Sequence, residues 1–515
     1  MPEYLAPGVY VEEIERGPRP IEGVPTSTAA FLGETERGPL RPRLVTSYNE
    51  YKRWFGGVFE KGRFMPYSVN GFFENGGKRL YVCRIVGKDV PAATKTIGDF
   101  EFNANGPGAW GKRVWVRILK GSTEDSNKKT GFRLRFAYWQ EDIEAFDPIE
   151  DRKKLPRPQY VEDYDDLSAN PKSPDYFEKR LTDINTQLPI TVLASIKRIN
   201  AAETNPEPTT GEVLVYDGPD PPAILSSEDF KGVPDGARQE RQGLSALELD
   251  PFRDIALVHA PYPPDDADDV NGEIITHCEN QRYRFAVIDS GQSEVPTDVI
   301  PRGKRDSQYA AIYVPWIKIS DPSTGNPTLA PPGGHVLGIY ARTDTERGVF
   351  KAPANEVVRG AVDVRFDITE RHQEILNPRG VNAIRRFPER GIRVWGARTI
   401  SSNGLWKYVS VRRLFIFLER SIYEGTQWVV FEPNDDRLWA RVKDTIRLFL
   451  RTQWRNGALF GRTEDEAFFI TCDRTTMTQD DILNGRLICE IGIAPVRPAE
   501  FVIFRVFQQT AEAQR

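Results

Sequence analysis

Apolar residues in the first ninety positions follow two spacings, which predicts a mixture of strands and helix. A continuous apolar run at 28–33 predicts a buried strand. Residues 48–55 have the apolar spacing of a short helix, and 79–86 alternates apolar and polar side chains as a strand does. We therefore expect 26–90 to form part of a compact domain.

The apolar pattern after residue 250 is that of two parallel strands joined by a helix. Strands are predicted at 254–258 and 284–289, and the intervening 265–282 has room for a helix. This spacing suits a βαβ unit, because parallel neighbours need a long crossover connection. A further apolar run predicts one strand over 310–319.

The segment 91–240 differs from its flanks because it is richer in charge and proline. Strands are predicted at 114–118 and 132–136, with polar loops between the predicted elements. We interpret 91–240 as an inserted, solvent-facing domain.

Residues 437–455 have the spacing of an amphipathic helix with one apolar and one basic side. At about 3.6 residues per turn, one arc collects Leu438, Trp439, Val442, Ile446, Phe449 and Leu450. The other arc collects Arg437, Arg441, Arg447, Arg451 and Arg455, with Leu448 and Asp444 among them. The basic arc has two interpretations, a solvated helix face or a surface that docks on an acidic protein.

Both ends of the chain carry β-prone segments that are reached through linkers rich in proline and glycine. Val9, Tyr10 and Val11 follow a Pro-Gly turn signal and precede the linker 17–25. Residues 501–507 form a second, strongly β-prone run. Each segment can pair back on its own core or add a strand to a neighbour's sheet, because an unpaired apolar strand needs a partner.

Composition places the 515-residue chain among folded proteins of near-neutral charge. Hydrophobic residues make up 39% and charged residues 28%. A net charge of −5 is not that of a general nucleic-acid coat. We expect no membrane span and no signal peptide, because the chain lacks a long apolar run and its first residues lack a basic start.

Cysteine and histidine are too sparse and too scattered to predict a metal or catalytic site. The four cysteines, Cys83, Cys278, Cys472 and Cys489, show no CxxC spacing, and we expect buried, reduced thiols. His277 and Cys278 are adjacent on a predicted helix and would not face each other. His259, His335 and His372 stand alone, and neither GxSxG nor HExxH occurs.

Two motifs resemble ligand loops, and both lack the required context. Gly106–Arg113 matches the glycine spacing of phosphate loops, but a strand pattern follows it where a phosphate site needs a helix. The acidic run 265–269 resembles a calcium loop, but it places Ala267 and Cys278 at ligand positions. We predict a packed Trp110 in the first motif, a helix start in the second, and no catalytic, cofactor-binding or metal residues.

Several motifs together resemble those of contractile tail sheath proteins, found in contractile phage tails and in phage-tail-like injection systems. The matching runs are PGVYVEE (7–13), TSTAAFLG (26–33), FFENGG (72–77), YAAIYVPW (309–316), APAN (352–355), LNPRGVN (376–382), VWGART (394–399), VFEPN (430–434) and APVRPAEF (494–501). They cover both ends and most of the second half, whereas 140–240 matches poorly.

The resemblance implies an α+β fold with an inner α/β domain built from both chain ends, an inserted, more variable β-rich outer domain, and extended terminal arms. The implied segments are an arm and linker (1–25), the first part of the inner domain (26–90), the outer insertion (91–240), a middle α/β domain with a subtilisin-like name (241–370), the C-terminal inner domain (371–498) and a donor strand (499–515).

The resemblance also implies a mechanical role without enzyme activity or a cofactor. Subunits of this family form hexameric rings that stack helically around an inner tube, and they contract to drive the tube through a target membrane. The implied strands donated to neighbouring subunits are Val9, Tyr10, Val11, Val502, Ile503, Phe504, Val506 and Phe507. The family binds its tube through a helix, for which 437–455 is the candidate, with Arg447, Arg451 and Arg455 towards the tube.

The implied partners are other copies of the chain, the inner tube protein, and baseplate and terminal cap proteins. Direct nucleic-acid binding and stable membrane insertion are not expected. We expect assembly in a bacterial cytoplasm, followed by release as a particle or anchoring through other components. The whole-chain resemblance favours an injection system over the alternative, a phage tail, and a nucleotide-dependent enzyme using 106–113 is the competing class.

Overall fold

The computed structural model divides the chain into two compact units. It describes residues 20–124, 130–184, 186, 188–200, 204–219, 224–233, 241–261, 269–292, 295–299 and 305–505. The first unit takes Met1–Val24 and Leu414–Arg515, and the second takes Pro25–Arg413.

Strands and helices alternate along the described residues. The strands are β1 (Ala29–Gly33), β2 (Arg43–Val45), β3 (Leu80–Arg84), β4 (Thr94–Ile97), β5 (Phe100–Ala104), β6 (Val114–Glu124), β7 (Thr130–Tyr138), β8 (Tyr160–Leu167), β9 (Ala194–Arg198), β10 (Glu212–Val213), β11 (Leu257–His259), β12 (Phe285–Asp289), β13 (Ala310–Val314), β14 (Ile317–Ser320), β15 (Pro327–Ala330), β16 (Glu356–Val357), β17 (Ala361–Val364), β18 (Val381–Phe387), β19 (Gly391–Trp395), β20 (Phe468–Thr471) and β21 (Glu490–Ile493). The helices are α1 (Tyr48–Phe55), α2 (Met65–Glu74), α3 (Phe177–Leu181), α4 (Ser227–Lys231), α5 (Gly243–Leu247), α6 (Val270–Gln281), α7 (Gly333–Arg347), α8 (Glu370–Leu376), α9 (Val409–Gly425), α10 (Asp436–Arg455), α11 (Glu464–Ala467) and α12 (Gln479–Leu483). This mixture confirms the α+β class.

A nine-stranded sheet organises the second unit, in the order β16-β19-β18-β13-β12-β11-β1-β3-β2. Its central strands β3, β1, β11, β12, β13 and β18 run parallel, and antiparallel strands close both edges. The predicted segments 26–90 and 241–370 and the beginning of 371–498 all contribute strands to it.

Helices cover both faces of this sheet, which is why its strands are continuous apolar runs. On one face, Ile274 and Cys278 of α6 join a buried cluster with side chains of β1, β12 and β13. On the other face, the Phe31 ring lies 5.4 Å from that of Phe72 in α2, and the Tyr313 hydroxyl lies 2.7 Å from that of Tyr340 in α7. The predicted β11–α6–β12 unit is confirmed, with a parallel β11–β12 pair.

Local predictions agree with the structure at most positions and fail at one. The predicted strands near 28–33 and 79–86 and the helix at 48–55 are present as β1, β3 and α1. The single strand predicted over 310–319 is wrong. Pro315 has no N–H to donate, so the run divides into β13 in the large sheet and β14 in a three-stranded sheet.

The strands of 91–240 form two separate small sheets, β10-β6-β7-β8 and β4-β5-β9. The predicted strands 114–118 and 132–136 pair with each other as β6 and β7. Buried ion pairs hold the first of these sheets, with Arg135 Nη1 2.7 Å and Arg117 Nη1 2.6 Å from the Asp147 carboxylate. These ion pairs explain why 91–240 is rich in charged residues and still forms a folded core.

Asp344 of α7 ties together the two ends of the second unit. Its carboxylate accepts hydrogen bonds from Arg413 at 2.9 and 2.5 Å and from the Thr26 hydroxyl at 2.7 Å. Arg413 also donates to the Thr26 carbonyl at 3.0 Å. Both charged side chains are buried, so the pair is fully compensated inside the unit.

Candidate assembly site

The amphipathic helix α10 is the largest element of the first unit, and it begins and ends with residues suited to helix termini. The Asp435 carboxylate accepts a hydrogen bond from the Leu438 N–H, and Arg455 lies in the last turn. The six apolar residues predicted to share an arc are all buried, which confirms the predicted orientation.

The basic side of α10 lies towards solvent. Arg437, Arg441 and Arg455 are exposed, and Arg447 and Arg451 are half-buried. Arg441 pairs with Glu432 at 3.1 Å and lies 5.2 Å from the centre of the Trp428 ring. Asp436–Arg455 contains six basic and two acidic residues, so the helix surface remains cationic.

Glu464 of α11 partly neutralises this face. Its carboxylate lies 2.6 Å from Arg451 Nε and 3.5 Å from Arg447 Nε. The hydrogen bond from Arg451 holds the pKa of Glu464 below its usual value, so this carboxylate is ionised near neutral pH. Arg447 and Arg451 therefore act as one positioned pair.

A two-stranded antiparallel sheet, β20–β21, packs beside α10. Phe468 pairs with Ile493 and Thr471 with Glu490. Within the described residues no third strand joins this sheet, so both of its outer edges are open. Open edges present unpaired N–H and C=O groups to any incoming strand.

The C-terminal segment carries an exposed apolar run next in sequence to this sheet. Phe501, Val502, Ile503 and Phe504 are 68–86% exposed, and 501–505 forms no regular element. The predicted strand is therefore absent from 501–505, and no strand of the described residues pairs with this segment. The remaining predicted donor residues, Val9, Tyr10, Val11, Val506 and Phe507, lie outside the described residues.

Residues 20–24, which precede β1, are anchored to α9 in the same unit. The Val24 N–H donates to the Ser421 hydroxyl at 3.1 Å, and Ile21 is buried against Gly425. Gly23 lies against the Phe417 ring, where a Cβ atom would be 2.9 Å from a ring carbon. Residues 20–24 thus pack on the unit that carries β20–β21 and α10.

The rejected ligand motifs have structural roles. A short 3-10 helix, Ala109–Arg113, and then β6 follow the Gly106–Gly108 loop, so no α-helix N-terminus faces it. Arg84 and the buried Trp110 both donate to the Pro107 carbonyl at 2.9 Å. Asp269 caps α6, and the rest of the acidic run, 265–268, lies outside the described residues.

The expectation of buried, free thiols is confirmed for Cys83, Cys278 and Cys472 and is wrong for Cys489, which is half-buried. Cys83 and Cys278 are buried and separate. Cys472 and Cys489, far apart in sequence, lie opposite each other at the end of β20–β21, and their thiols share a hydrogen bond. The antiparallel register brings them together, and sequence spacing gave no sign of it.

His259 has a partner that the sequence analysis missed. Its Nε2 lies 3.6 Å from Asp289 Oδ2, at the adjacent carboxyl ends of β11 and β12, and its Nδ1 lies 2.9 Å from the Val287 carbonyl. Both side chains are fully buried, and Asp289 Oδ1 accepts a hydrogen bond from the Gly333 N–H at 2.8 Å. Because a substrate cannot reach this pair, we assign it a structural role.

Replacing Asp289 with Asn should remove a pH dependence of stability. Burial raises the pKa of Asp289 to about 8, so the folded state keeps a proton that the unfolded state loses near pH 4. The free energy of unfolding then falls as pH rises towards 8. Burial lowers the pKa of His259 to about 4, which produces the opposite slope below pH ~6.5.

The effect of Asp289 on stability is therefore separated from that of His259 between pH ~6.5 and ~8. In urea unfolding, the free energy of unfolding of the wild type should fall by ~2 kcal/mol more than that of Asp289→Asn across this window. The exposed control Asp298→Asn should keep the wild-type slope. Equal slopes for wild type and Asp289→Asn would contradict a protonated buried carboxyl.

The described residues contain neither a metal-binding cluster nor a membrane-spanning helix. No group of three or more His, Cys, Asp or Glu side chains there is arranged to hold a metal ion. None of the helices in those ranges combines the length and hydropathy needed to cross a bilayer.

Known families match the second half of the chain. Residues 239–400 match the phage tail sheath protein central domain, and residues 401–509 match the phage tail sheath C-terminal domain. Together these ranges span just over half of the sequence.

Individual relatives are also tail sheath proteins. A prophage major tail sheath protein of Pseudomonas aeruginosa is 28% identical over 43% of this chain, and the match spans 57% of that relative, less than two thirds of its length. The tail sheath protein of Burkholderia phage BcepMu is 22% identical over 88% of this chain and 87% of its own. The cryo-EM structure of the contracted PVC sheath, from an extracellular contractile injection system, aligns over 100% of both chains with a TM-score of 0.59 and 22% identity.

Proposed function

Because the chain belongs to the phage tail sheath family, whose members are structural proteins and not enzymes, we propose that it is the sheath subunit of a phage-tail-like contractile injection system. It polymerises around an inner tube as hexameric rings stacked helically. It then contracts from a metastable extended state and drives the tube through a target membrane.

The observation that carries this proposal is an open two-stranded sheet in the same unit as an exposed apolar chain end. β20–β21 has two outer edges, and the proposal gives each chain two donor arms. An arm from each of two neighbours can add one strand per edge, with backbone hydrogen bonds supplying affinity and side-chain burial adding to it. The donor residues are Val9, Tyr10 and Val11 at one end and Val502, Ile503, Phe504, Val506 and Phe507 at the other.

Contraction in this scheme requires no cofactor. If each subunit buries ~400 Å² more apolar surface in the contracted lattice, it gains about 10 kcal/mol. The gain sums over all subunits of the lattice. The arms keep neighbours linked while the subunit bodies rotate, and the Pro/Gly residues ahead of the anchored stretch 20–24 supply the hinge.

The cationic face of α10 is the proposed attachment to the tube. Arg447, Arg451 and Arg455 follow one another along the C-terminal half of the helix, and Glu464 orients the first two. Such a face fits an acidic tube surface, and exposed ion pairs of this kind weaken as salt concentration rises. Arg437 and Arg441 extend the same face towards the N-terminus of the helix.

The proposed partners follow from this assembly: other copies of the chain, the tube protein, and baseplate and cap proteins at the two ends. Nucleic acid and stable membrane insertion have no part in it. The proposed place of assembly is a bacterial cytoplasm, with later release of the particle or anchoring through other components.

A phage tail sheath is the second candidate, and the extent of the Burkholderia phage match favours it. The injection-system assignment is supported by the alignment of the PVC sheath over the whole chain. Neighbouring genes distinguish the two: capsid and terminase genes indicate a phage, whereas a AAA+ ATPase gene and toxin-like cargo indicate an injection system.

Co-expression of the chain with its tube and baseplate genes tests the proposed function. Negative-stain electron microscopy should show long sheathed particles in extended and contracted forms, and purified subunits should bind no nucleotide in a titration. Monomeric subunits beside free tubes, or saturable nucleotide binding, would contradict the proposal.

A further inference from the structure

Cys472 and Cys489 face each other across the end of the two-stranded sheet. Thr471 pairs with Glu490, so the next residues outward on the two strands are these cysteines. A hydrogen bond joins their thiols. The two cysteines bracket the loop 473–488, which contains α12.

The backbone register suits a cross-strand disulfide. The Ala494 N–H donates to the carbonyl of the opposed Ala467 at 2.9 Å, and hydrogen-bonded pairs alternate with non-hydrogen-bonded pairs along an antiparallel ladder. Counting along the ladder makes Cys472–Cys489 a non-hydrogen-bonded pair, whose Cα atoms lie about 4.5 Å apart. A disulfide accepts Cα separations of about 4.4–6.8 Å.

The two thiols differ in exposure and in acidity. Cys472 is buried, whereas Cys489 is half-exposed and reachable from solvent. The hydrogen bond from Cys489 lowers the pKa of Cys472, and the nearby Lys443 ammonium of α10 lowers it further. The same hydrogen bond raises the pKa of Cys489. The buried Cys472 is therefore the more acidic of the two thiols.

We propose that Cys472 and Cys489 are a redox-modification site that closes to a cross-strand disulfide on exposure to a small-molecule disulfide. The solvent-reachable Cys489 thiol attacks one sulfur of oxidised glutathione and forms a mixed disulfide, and the glutathione thiolate that leaves takes up the displaced proton. The Cys472 thiolate then attacks the Cys489 sulfur, displaces the second glutathione and completes the bond. Two protein thiols are oxidised, one glutathione disulfide is reduced to two glutathione molecules, and the two protons go to them.

This inference goes beyond the proposed function and does not depend on it, because the chemistry needs only the folded subunit. Closure joins the ends of the 473–488 loop and fixes the spacing of the two strands. The other two cysteines supply internal controls. Burial raises the pKa of both Cys83 and Cys278 to about 12, which keeps them unreactive thiols.

The test incubates the purified full-length chain with oxidised glutathione, unfolds it in iodoacetamide and maps the alkylated cysteines by mass spectrometry. Cys472 and Cys489 should no longer be alkylated, whereas the other two cysteines should be. The intact mass should fall by two hydrogens. Dithiothreitol should restore alkylation of all four cysteines. Four alkylated cysteines, or a persistent glutathione adduct on Cys489, would overturn the proposal.

Single variants separate the roles of the two thiols. Cys472→Ser should accumulate the glutathione adduct on Cys489, because no thiol remains to displace it. Cys489→Ser should leave Cys472 alkylatable, since the buried sulfur is not reached from solvent. The matched control Cys83→Ser should form the 472–489 disulfide as the wild type does. Disulfide formation involving Cys83 or Cys278 in any variant would contradict the assignment.

Discussion

Deleting residues 1–14 is expected to leave a folded, soluble subunit that no longer builds long sheaths. The deletion removes Val9–Val11, the proposed donor strand, and keeps the contacts of 20–24 with α9. Burying Val9 and Val11 against a neighbour contributes ~1.5 kcal/mol each. Losing ~3 kcal/mol from every link weakens each association more than about a hundredfold.

Electron microscopy of the co-expressed variant and size-exclusion chromatography of its subunit check this expectation. A shorter deletion of residues 1–6 is the matched control and should give sheaths of normal length, because it keeps the Pro7-Gly8 turn and the donor residues. Unchanged thermal unfolding of the 1–14 deletion would establish that the subunit is intact. Long, normal sheaths from that deletion would refute the role of the arm.

Reversing the charge of Arg447, Arg451 and Arg455 is expected to abolish sheath–tube co-assembly while leaving the arms functional. Each exposed ion pair contributes only ~0.2–1 kcal/mol, but the contacts repeat in every subunit along the tube. Three Arg→Glu changes turn attraction into repulsion at each copy. Microscopy should then show empty sheaths or free tubes.

Two controls separate tube binding from folding. Reversing Arg474, Arg486 and Arg497, which lie outside α10 in the same unit, applies the same change in charge and should leave tube binding intact. Reversal at 447 and 451 also places new carboxylates beside Glu464, so the corresponding Arg→Gln variant removes the charge without that repulsion. Sheaths that still enclose tubes in both helix variants would contradict the attachment role of this face.

Elements whose stability depends on local pattern were predicted well from the sequence. α10 was predicted to within one residue because its apolar and basic arcs are set by helical spacing alone. The β11–α6–β12 unit was predicted because parallel buried strands are continuous apolar runs separated by a helix.

Features that depend on pairing between distant strands were not predicted. The Cys472–Cys489 contact follows from the register of β20 with β21, which the sequence does not encode in a readable spacing. The His259–Asp289 contact could have been anticipated, because the predicted βαβ unit places the carboxyl ends of its two strands side by side. The run 310–319 was misjudged because its apolar pattern continues through Pro315, where strand pairing cannot.

The assembly site likewise combines features that the sequence predicts with features that only the fold reveals. The apolar character of 501–507 and the basic arc of α10 were evident in the sequence, and the family motifs gave them roles. The open edges of β20–β21 became evident only in the fold, since both strands are short and neither has a distinctive pattern.

A cryo-EM reconstruction of the assembled sheath tests the central claim, that neighbouring subunits are linked by strands donated from their chain ends. The account predicts a four-stranded sheet in every subunit, with β20–β21 flanked by residues 9–11 of one neighbour and residues 502–507 of another. Sheaths in which the outer edges of β20 and β21 are empty, or are covered by the subunit's own ends, would contradict it.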